Sequence, residues 1–245
     1  MSIHQNLSAP AFTDAEVVSL ALAGLPSMID FLPTGSEARL VAVNTDANWG
    51  CGAAKRALDL VVAVPALLVL APLFALIALL VRLDSGGPVL FRQRRAGICG
   101  RDFDILKFRT MHVLENGDTV VQAREGDPRA TRVGRWLRRY SLDELPQLIN
   151  VVRGDMSLVG PRPHARAHDA YYSALIRNYR HRYAVKPGMT GWAQINGLRG
   201  PTPTVDLMAR RIEHDLWYAR NTNFALDLEI LLRTPFEVFR HRNAC

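Results

Sequence analysis

Cysteine is scarce in this 245-residue chain: Cys51, Cys99 and Cys245 are too few and too far apart for a disulfide framework or a zinc site, and they suit a reducing compartment. No basic stretch precedes an apolar core at the N-terminus, which excludes a secretory signal peptide. Internal repeats are missing, which sets aside a repeat architecture. Lysine is also rare, since 27 of the 30 basic residues are Arg. What is present is a composition 49% hydrophobic and 22% charged, too apolar for disorder throughout and sufficient for one domain, or a small domain with appendages. Charge is uneven. Residues 1–54 carry Arg39 alone against five acids, whereas residues 82–245 hold 27 basic against 17 acidic side chains. A basic body of this kind suits nucleic acid, anionic lipid headgroups or a phosphorylated substrate. Arginine favours phosphate among these, because guanidinium binds phosphate oxygens bidentately and is less heavily hydrated than ammonium.

Residues 57–81, ALDLVVAVPALLVLAPLFALIALLV, form an apolar run with Asp59 as its only charge, long enough to enter a bilayer. Its flanks are basic at both ends, with Lys55 and Arg56 before it and Arg82, Arg92, Arg94 and Arg95 after it. Positive charge on both sides directs both ends to the cytoplasm. Pro65 and Pro72 predict a kink or break inside the run. Together these features suggest a re-entrant helix-break-helix hairpin, the alternative being a straight, kinked span. Asp59 is placed to pair with Lys55 or Arg56. Residues 1–54 read as a poorly ordered or weakly helical appendage, or else as a partner-binding arm. The expected organisation is this appendage, a membrane segment over residues 55–82, and a cytoplasmic catalytic domain over residues 83–245.

Beyond the apolar run, residues 89–91 and 103–108 read as a β-hairpin. Residues 115–127 are a polar loop and residues 130–139 a helix. A further helix opens at Ser141 and runs to about Val152, where Gly154 ends it. A short strand over residues 156–163 leads into Gly160-Pro161-Arg162-Pro163, and residues 165–183 read as a helix carrying Tyr171, Tyr172, Tyr179 and Tyr183. Short strand and loop over residues 190–200 precede helices near residues 205–220 and 226–240. The last of these mixes Phe224, Leu231, Leu232, Phe236, Val238 and Phe239 with Arg233, Arg240, His241 and Arg242, a pattern that fits either an interfacial helix on anionic lipid or a packed core. The fold class expected is α+β, predominantly helical.

The stretch Ser141-Leu142-Asp143-Glu144 carries the most chemistry, because two adjacent carboxylates open a helix just after Arg132, Arg135, Arg138 and Arg139. Ser141 with Glu144 three residues later also matches a capping box, and acids in a first turn suit the helix dipole, so a structural role is available. A functional role requires an anion, for which a helix N-terminus beside guanidinium groups is a phosphate site. One carboxylate would then attack phosphorus while the other helps hold a divalent metal. Lys107 and Arg109 alternate along a predicted strand and so share a face, whether as ordinary solvated charges or as ligand contacts. Arg162 is fixed between two prolines, a costly setting for a charge with nothing to bind. Asp155 reads as structural, paired with a local Arg. Residues 188–200 provide Trp192 for packing or stacking and Gln194, Asn196 and Arg199 as polar contacts, or else form a turn-rich structural loop.

The order KRALD, an apolar run with Pro72, GGPVLFRQRRAG, ILKFRTM, SLDELPQLINVVRGDMSLVGPRP and KPGMTGWAQINGLRG closely resembles the bacterial sugar transferases, the monotopic phosphoglycosyl transferases, over about residues 55–240. The resemblance implies a monotopic protein on the cytoplasmic face of a bacterial inner membrane. It implies a two-step reaction in which Asp143 attacks the sugar-linked phosphate of a UDP-sugar, UMP leaves, and polyprenyl phosphate takes the sugar phosphate from the aspartyl intermediate. Glu144 is then expected to bind Mg2+, with Asp143 beside it. Lys107, Arg109 and Arg162 are expected as phosphate or nucleotide contacts, Arg95 and Arg138 as secondary contacts, and Gln194 and Arg199 as further substrate contacts. The longer match through GLRGPTPTVDLMARRIEHDLWYARN resembles members that transfer glucose 1-phosphate. The product is a polyprenyl diphosphate sugar, the first membrane step of an exopolysaccharide or other glycoconjugate, passed to downstream glycosyltransferases. Long members add membrane spans and another domain before this core, so the chain is expected to be a short, self-sufficient form. Ala71 stands where some members place Ser before the breaking proline, which shifts or broadens the expected bend.

The competing class is a membrane-tethered basic module that binds nucleic acid or acidic lipid without chemistry. It accounts for the charge and the apolar run but not for paired acids among arginines, and no nucleic acid is expected as a partner. Transfer of sugar alone would release UDP rather than UMP.

Overall fold

The structure, a computed structural model, describes residues 49–112 and 126–239, with side chains as far as residue 237. The expected N-terminal appendage lies almost wholly outside the described residues, as do most of the polar loop at 115–127 and the final basic residues. The described chain is α+β and mainly helical. Helix α1 (Ala53–Asp84) leads to strands β1 (Leu90–Ala96) and β2 (Asp102–Phe108), then α2 (Arg132–Arg139), α3 (Gln147–Arg153), β3 (Ser157–Val159) and α4 (Arg166–Leu175). Strand β4 (Gly188–Thr190), the single turn α5 (Trp192–Ile195), α6 (Val205–Asn221) and α7 (Phe224–Phe239) complete it.

Helix α1 is 32 residues long, about 48 Å at 1.5 Å per residue, and apolar enough to enter a membrane. The sequence predicts a kink or break at its prolines, and no break occurs: helical structure runs on through Pro65 and Pro72. A proline removes one amide donor and crowds one carbonyl, and packing on both sides can hold a long helix together across that local defect. Here Ala63, Ala66, Leu67 and Leu70 pack on one cluster, and Leu73, Phe74, Ile77 and Val81 on a second. The buried residues Lys55, Asp59, Ala63, Ile77 and Val81 fall on one stripe of the helix. Burying Ile77 and Val81 contributes ~1.5–3 kcal/mol each. The other faces leave Val61, Leu68, Val69, Leu76, Leu79 and Leu83 exposed, as expected of a helix whose solvent is lipid.

Both ends of α1 are tied to the same folded body. At its start, Lys55 pairs with Asp227 and donates to the Tyr218 hydroxyl, while Arg56 donates to the carbonyls of Val151 and Val152 at the end of α3. Asp59 accepts from the Ser157 hydroxyl and the Leu158 amide, both at 2.9 Å, so it anchors β3 rather than pairing with Lys55 or Arg56. At the far end the Arg109 guanidinium donates to the carbonyls of Ser85 and Gly86, each at 2.6 Å, and Asp84 accepts from the Val133 amide. Arg109 thus satisfies carbonyls at and beyond the end of α1.

Strands β1 and β2 form the expected antiparallel hairpin, with Gln93 opposite Ile105. Strands β3 and β4 pair in parallel, Ser157 opposite Gly188 and Val159 opposite Thr190. Backbones approach so closely at their ends that a Cβ on Gly160 would lie 2.2 Å from the Lys186 carbonyl oxygen, and one on Gly188 would lie 2.1 Å from the Gly160 nitrogen. Only glycine fits there, and this tight crossing seats the Pro161-Arg162-Pro163 loop. Helix α7 packs through Leu226, Asp227 and Ile230, which are buried, while Phe224, Leu228, Leu232 and Phe236 form an exposed stripe at four-residue spacing.

Candidate functional site

Ser141 follows α2 with φ 55° and ψ 24°, a left-handed conformation that costs a non-glycine residue on the order of 1–2 kcal/mol. Its hydroxyl accepts a hydrogen bond from Arg199. Leu142–Glu144 then make one 3-10 turn, and α3 begins at Gln147. The capping box expected of Ser141 and Glu144 does not form, because a capping residue needs extended backbone and Ser141 is left-handed. Asp143 and Glu144 accordingly precede the helix instead of occupying its first turn. With only seven residues in α3, side chains rather than a helix dipole balance the two acids.

Lys107 Nζ donates to Glu144 Oε1 at 2.7 Å, and Arg162 engages the same carboxylate through both terminal nitrogens, Nη1 reaching Oε2 at 3.0 Å. A forked guanidinium contact of this kind fixes direction as well as charge. Burial alone would raise the Glu144 carboxyl, but Arg162 and Lys107 outweigh it and hold the group well below the usual carboxylate range. Asp143 behaves oppositely. It is 9% exposed, and burial pushes its carboxyl up, opposed by Lys107 and reinforced by the Glu144 charge, with Arg138 and Arg162 also lowering it. The two neighbours are therefore differentiated, Glu144 a paired anion held down by its cations and Asp143 a buried carboxyl pushed up.

Three elements bring these groups together. The fully buried Asn150 of α3 accepts from the Leu106 amide at 2.9 Å and donates to the Asp104 carbonyl at 2.8 Å, clipping α3 to β2 and so setting Lys107 beside the 142–144 turn. Thr131 caps α2 by accepting from the Gly134 amide, which directs Arg138 in the last turn toward Asp143. The β3–β4 crossing delivers Arg162. Arg199 arrives from the loop after α5 and is lowered chiefly by burial, with Glu144 opposing that shift and Arg162 adding to it.

Of the residues singled out in the sequence, Asp143, Glu144, Lys107, Arg138, Arg162 and Arg199 converge. Arg95 stands behind them, donating to the Pro163 carbonyl at 3.3 Å and to the Gln93 side chain, and burial followed by Arg162 lowers it to about 10. Arg109 is elsewhere: β2 ends at Phe108, the alternation with Lys107 stops, and the guanidinium turns to α1. Gln194 donates to the Met189 carbonyl at 3.1 Å and supports the β4 loop, and Asn196 bonds locally to the Trp192 carbonyl. Trp192 stacks on Trp217 with centroids 4.6 Å apart, which is packing. Asp155 is structural but meets Asn150 at 3.4 Å rather than an arginine.

The sequence gives no signal for Arg182, His164 and Asp215, which are buried behind Arg162. Arg182 donates to the Arg162 carbonyl, the His164 Nδ1 and Asp215. Buried ion pairs have no pattern in sequence, since their partners are fixed only by packing. For metal, the described residues hold no group of three or more His, Cys, Asp or Glu side chains. Mg2+ is commonly held by one or two carboxylates together with substrate phosphate oxygens; of the two acids here, Glu144 already accepts from Lys107 and Arg162 at both of its oxygens.

Residues 51–241 match the family described as Bacterial sugar transferase. The chain is 58% identical over 190 residues to a UDP-glucose:undecaprenyl-phosphate glucose-1-phosphate transferase of Caulobacter vibrioides, covering 78% of this chain and 71% of that protein. It is 52% identical over 190 residues to the Escherichia coli protein of the same name, covering 78% of this chain but 41% of the relative. A UDP-N-acetylgalactosamine-undecaprenyl-phosphate N-acetylgalactosaminephosphotransferase of Aeromonas hydrophila is 42% identical over 180 residues, 74% of this chain and 42% of that protein. The chain thus spans about two fifths of several curated relatives.

Proposed function

Because the chain belongs to the bacterial sugar transferase family over residues 51–241, we propose that it transfers a sugar 1-phosphate, most simply glucose 1-phosphate, from a UDP-sugar to a polyprenyl phosphate at the cytoplasmic face of a bacterial membrane. The observation that carries the proposal is the buried Asp143 beside a Glu144 locked by Lys107 and Arg162, with Arg138 and Arg199 completing a cationic rim. A carboxylate cannot approach a diphosphate unless positive groups offset the repulsion, and these side chains are drawn from separate parts of the chain to do that.

An Asp143 oxygen attacks the sugar-bearing phosphorus, the bond from that phosphorus to the bridging oxygen breaks, and UMP leaves with the bond's electron pair. A polyprenyl phosphate oxygen then attacks the same phosphorus, freeing the Asp143 carboxylate and giving the polyprenyl diphosphate sugar. Arg162 and Lys107 orient Glu144 and the donor phosphates, and Arg138 draws the anionic donor toward Asp143. Bound Mg2+, held by Glu144 with Asp143 adjacent, would neutralise diphosphate charge. Re-entrant insertion of α1 is supported by its two ends meeting one folded body and by the basic residues at both flanks, while the helix stays unbroken through Pro65 and Pro72. The exposed stripe of α7 would lie against the same leaflet.

A panel of UDP-sugars given to purified protein with polyprenyl phosphate and Mg2+ tests the reaction. UMP release dependent on Asp143 and selective for UDP-glucose is expected; UDP release would mean transfer of the sugar alone, and neither product would overturn the proposal.

A further inference from the structure

Arg162 is held by its backbone as well as by its side chain, and one buried residue does most of the holding. Arg182, in the 3-10 turn Tyr179–Ala184, is 2% exposed. Its Nη2 donates to the Arg162 carbonyl and, at 2.7 Å, to Asp215 of α6. Its Nη1 donates to His164 Nδ1 at 2.7 Å and lies 3.3 Å from the Tyr179 hydroxyl, which donates to Asp169 at 2.8 Å. A single guanidinium therefore grips the Pro163-centred loop on both sides, at the residue before the proline and the residue after it. Burial and then Arg182 hold the His164 imidazole well below its usual value, which favours the neutral ring that accepts from Arg182 at Nδ1, an atom that also lies 2.6 Å from the Tyr179 hydroxyl.

We propose that Arg182, braced by Asp215 and His164, is a positioning residue that aims the Arg162 guanidinium at the Glu144 carboxylate. Its relevance to turnover rests on the function proposed above; the positioning itself does not. Arg182 is not paired with Glu144 directly, so any coupling between the two must pass through Arg162. Lysine at position 182 keeps the charge and its Coulomb field but has one nitrogen on a flexible stem, which cannot bridge the Arg162 carbonyl, His164 and Asp215 in one fork.

The test is a double-mutant cycle on thermal unfolding in detergent, using Arg182→Lys and Glu144→Gln. Glu144→Gln is expected to lower Tm in the parent and to lower it by less than half as much in the Arg182→Lys background, because the ion pair it breaks is already misaligned there. Additive shifts would overturn the proposal, and this arm needs no activity. In the second arm, kcat/KM for UMP release falls about tenfold in Arg182→Lys, a loss of about 1.4 kcal/mol in transition-state binding, and less than twofold further when Arg162 is already Ala. His164→Asn, whose amide oxygen replaces Nδ1 as acceptor, is expected to retain near-parental kinetics, whereas His164→Leu should match Arg182→Lys. Equal losses in both Arg162 backgrounds would assign Arg182 to general stability and overturn its positioning role. An absence of UMP release from the parent would sink the proposed function while the unfolding cycle still decides the positioning.

Discussion

Asp143 and Glu144 are adjacent in the chain and opposite in ionisation behaviour, and the difference is set by which of them receives Lys107 and Arg162. Burial raises Asp143, so at neutral pH its charge detracts from folding; the paired Glu144 contributes stability that is present above its unfolded value and lost as pH falls through its depressed folded value. Asp143→Asn is therefore expected to abolish UMP release yet raise Tm by ~2–4 °C, the shift that about 1 kcal/mol produces in a domain of this size. Glu144→Gln is expected to lower both, and circular dichroism melts of the two variants check the opposing signs. The same asymmetry governs pH dependence. The proposed attack requires ionised Asp143, so the acid limb of kcat/KM should lie above the ordinary aspartate value of about 3.9. In Glu144→Gln the like charge is gone and Lys107 is released to Asp143, so the limb of the residual activity should move to lower pH; an upward move would contradict the assignment.

At the scale of elements, the link between α1 and α7 is a buried charge network. Lys55 and Asp227 pair, and Asp227 also accepts from the Tyr218 hydroxyl at 2.6 Å and from the Trp49 indole at 2.9 Å. Removing one partner of such a pair leaves a buried charge with reduced compensation. Lys55→Met is expected to destabilise by about 3–5 kcal/mol, and adding Asp227→Asn should recover a large part of that loss in denaturant unfolding. Full additivity of the two would mean that they do not act as a pair. Arg109 shows why element boundaries matter for function. Its apparent alternation with Lys107 holds only while the strand lasts, and one residue past the end of β2 it serves α1 instead of the site.

At the scale of the whole molecule, both ends of α1 bond to one folded body, and the consequence expected of the proposed re-entrant insertion is that both ends face the cytoplasm. Single cysteines at Ala54 and Gly86, in a background lacking Cys51, Cys99 and Cys245, report this directly; Ala54 is exposed and a Cβ at Gly86 meets nothing within 4 Å. Both should resist a membrane-impermeant thiol reagent in intact cells and react after permeabilisation. Labelling of one site alone in intact cells would establish a straight span.

Sequence by itself determined the apolar helix, the β1–β2 hairpin and the helix ending at Gly154, because each rests on a local signal: an uninterrupted apolar run, period-two alternation or a glycine stop. Only the tertiary structure decided that Ser141 bonds Arg199 instead of capping a helix, that Asp59 anchors β3, that Arg109 leaves the site, and that Arg182 stands behind Arg162. Those outcomes depend on partners up to about a hundred residues away. A charged side chain carries no mark of which distant carbonyl or carboxylate will meet it, since long-range packing selects the partner and burial then sets the strength of the contact.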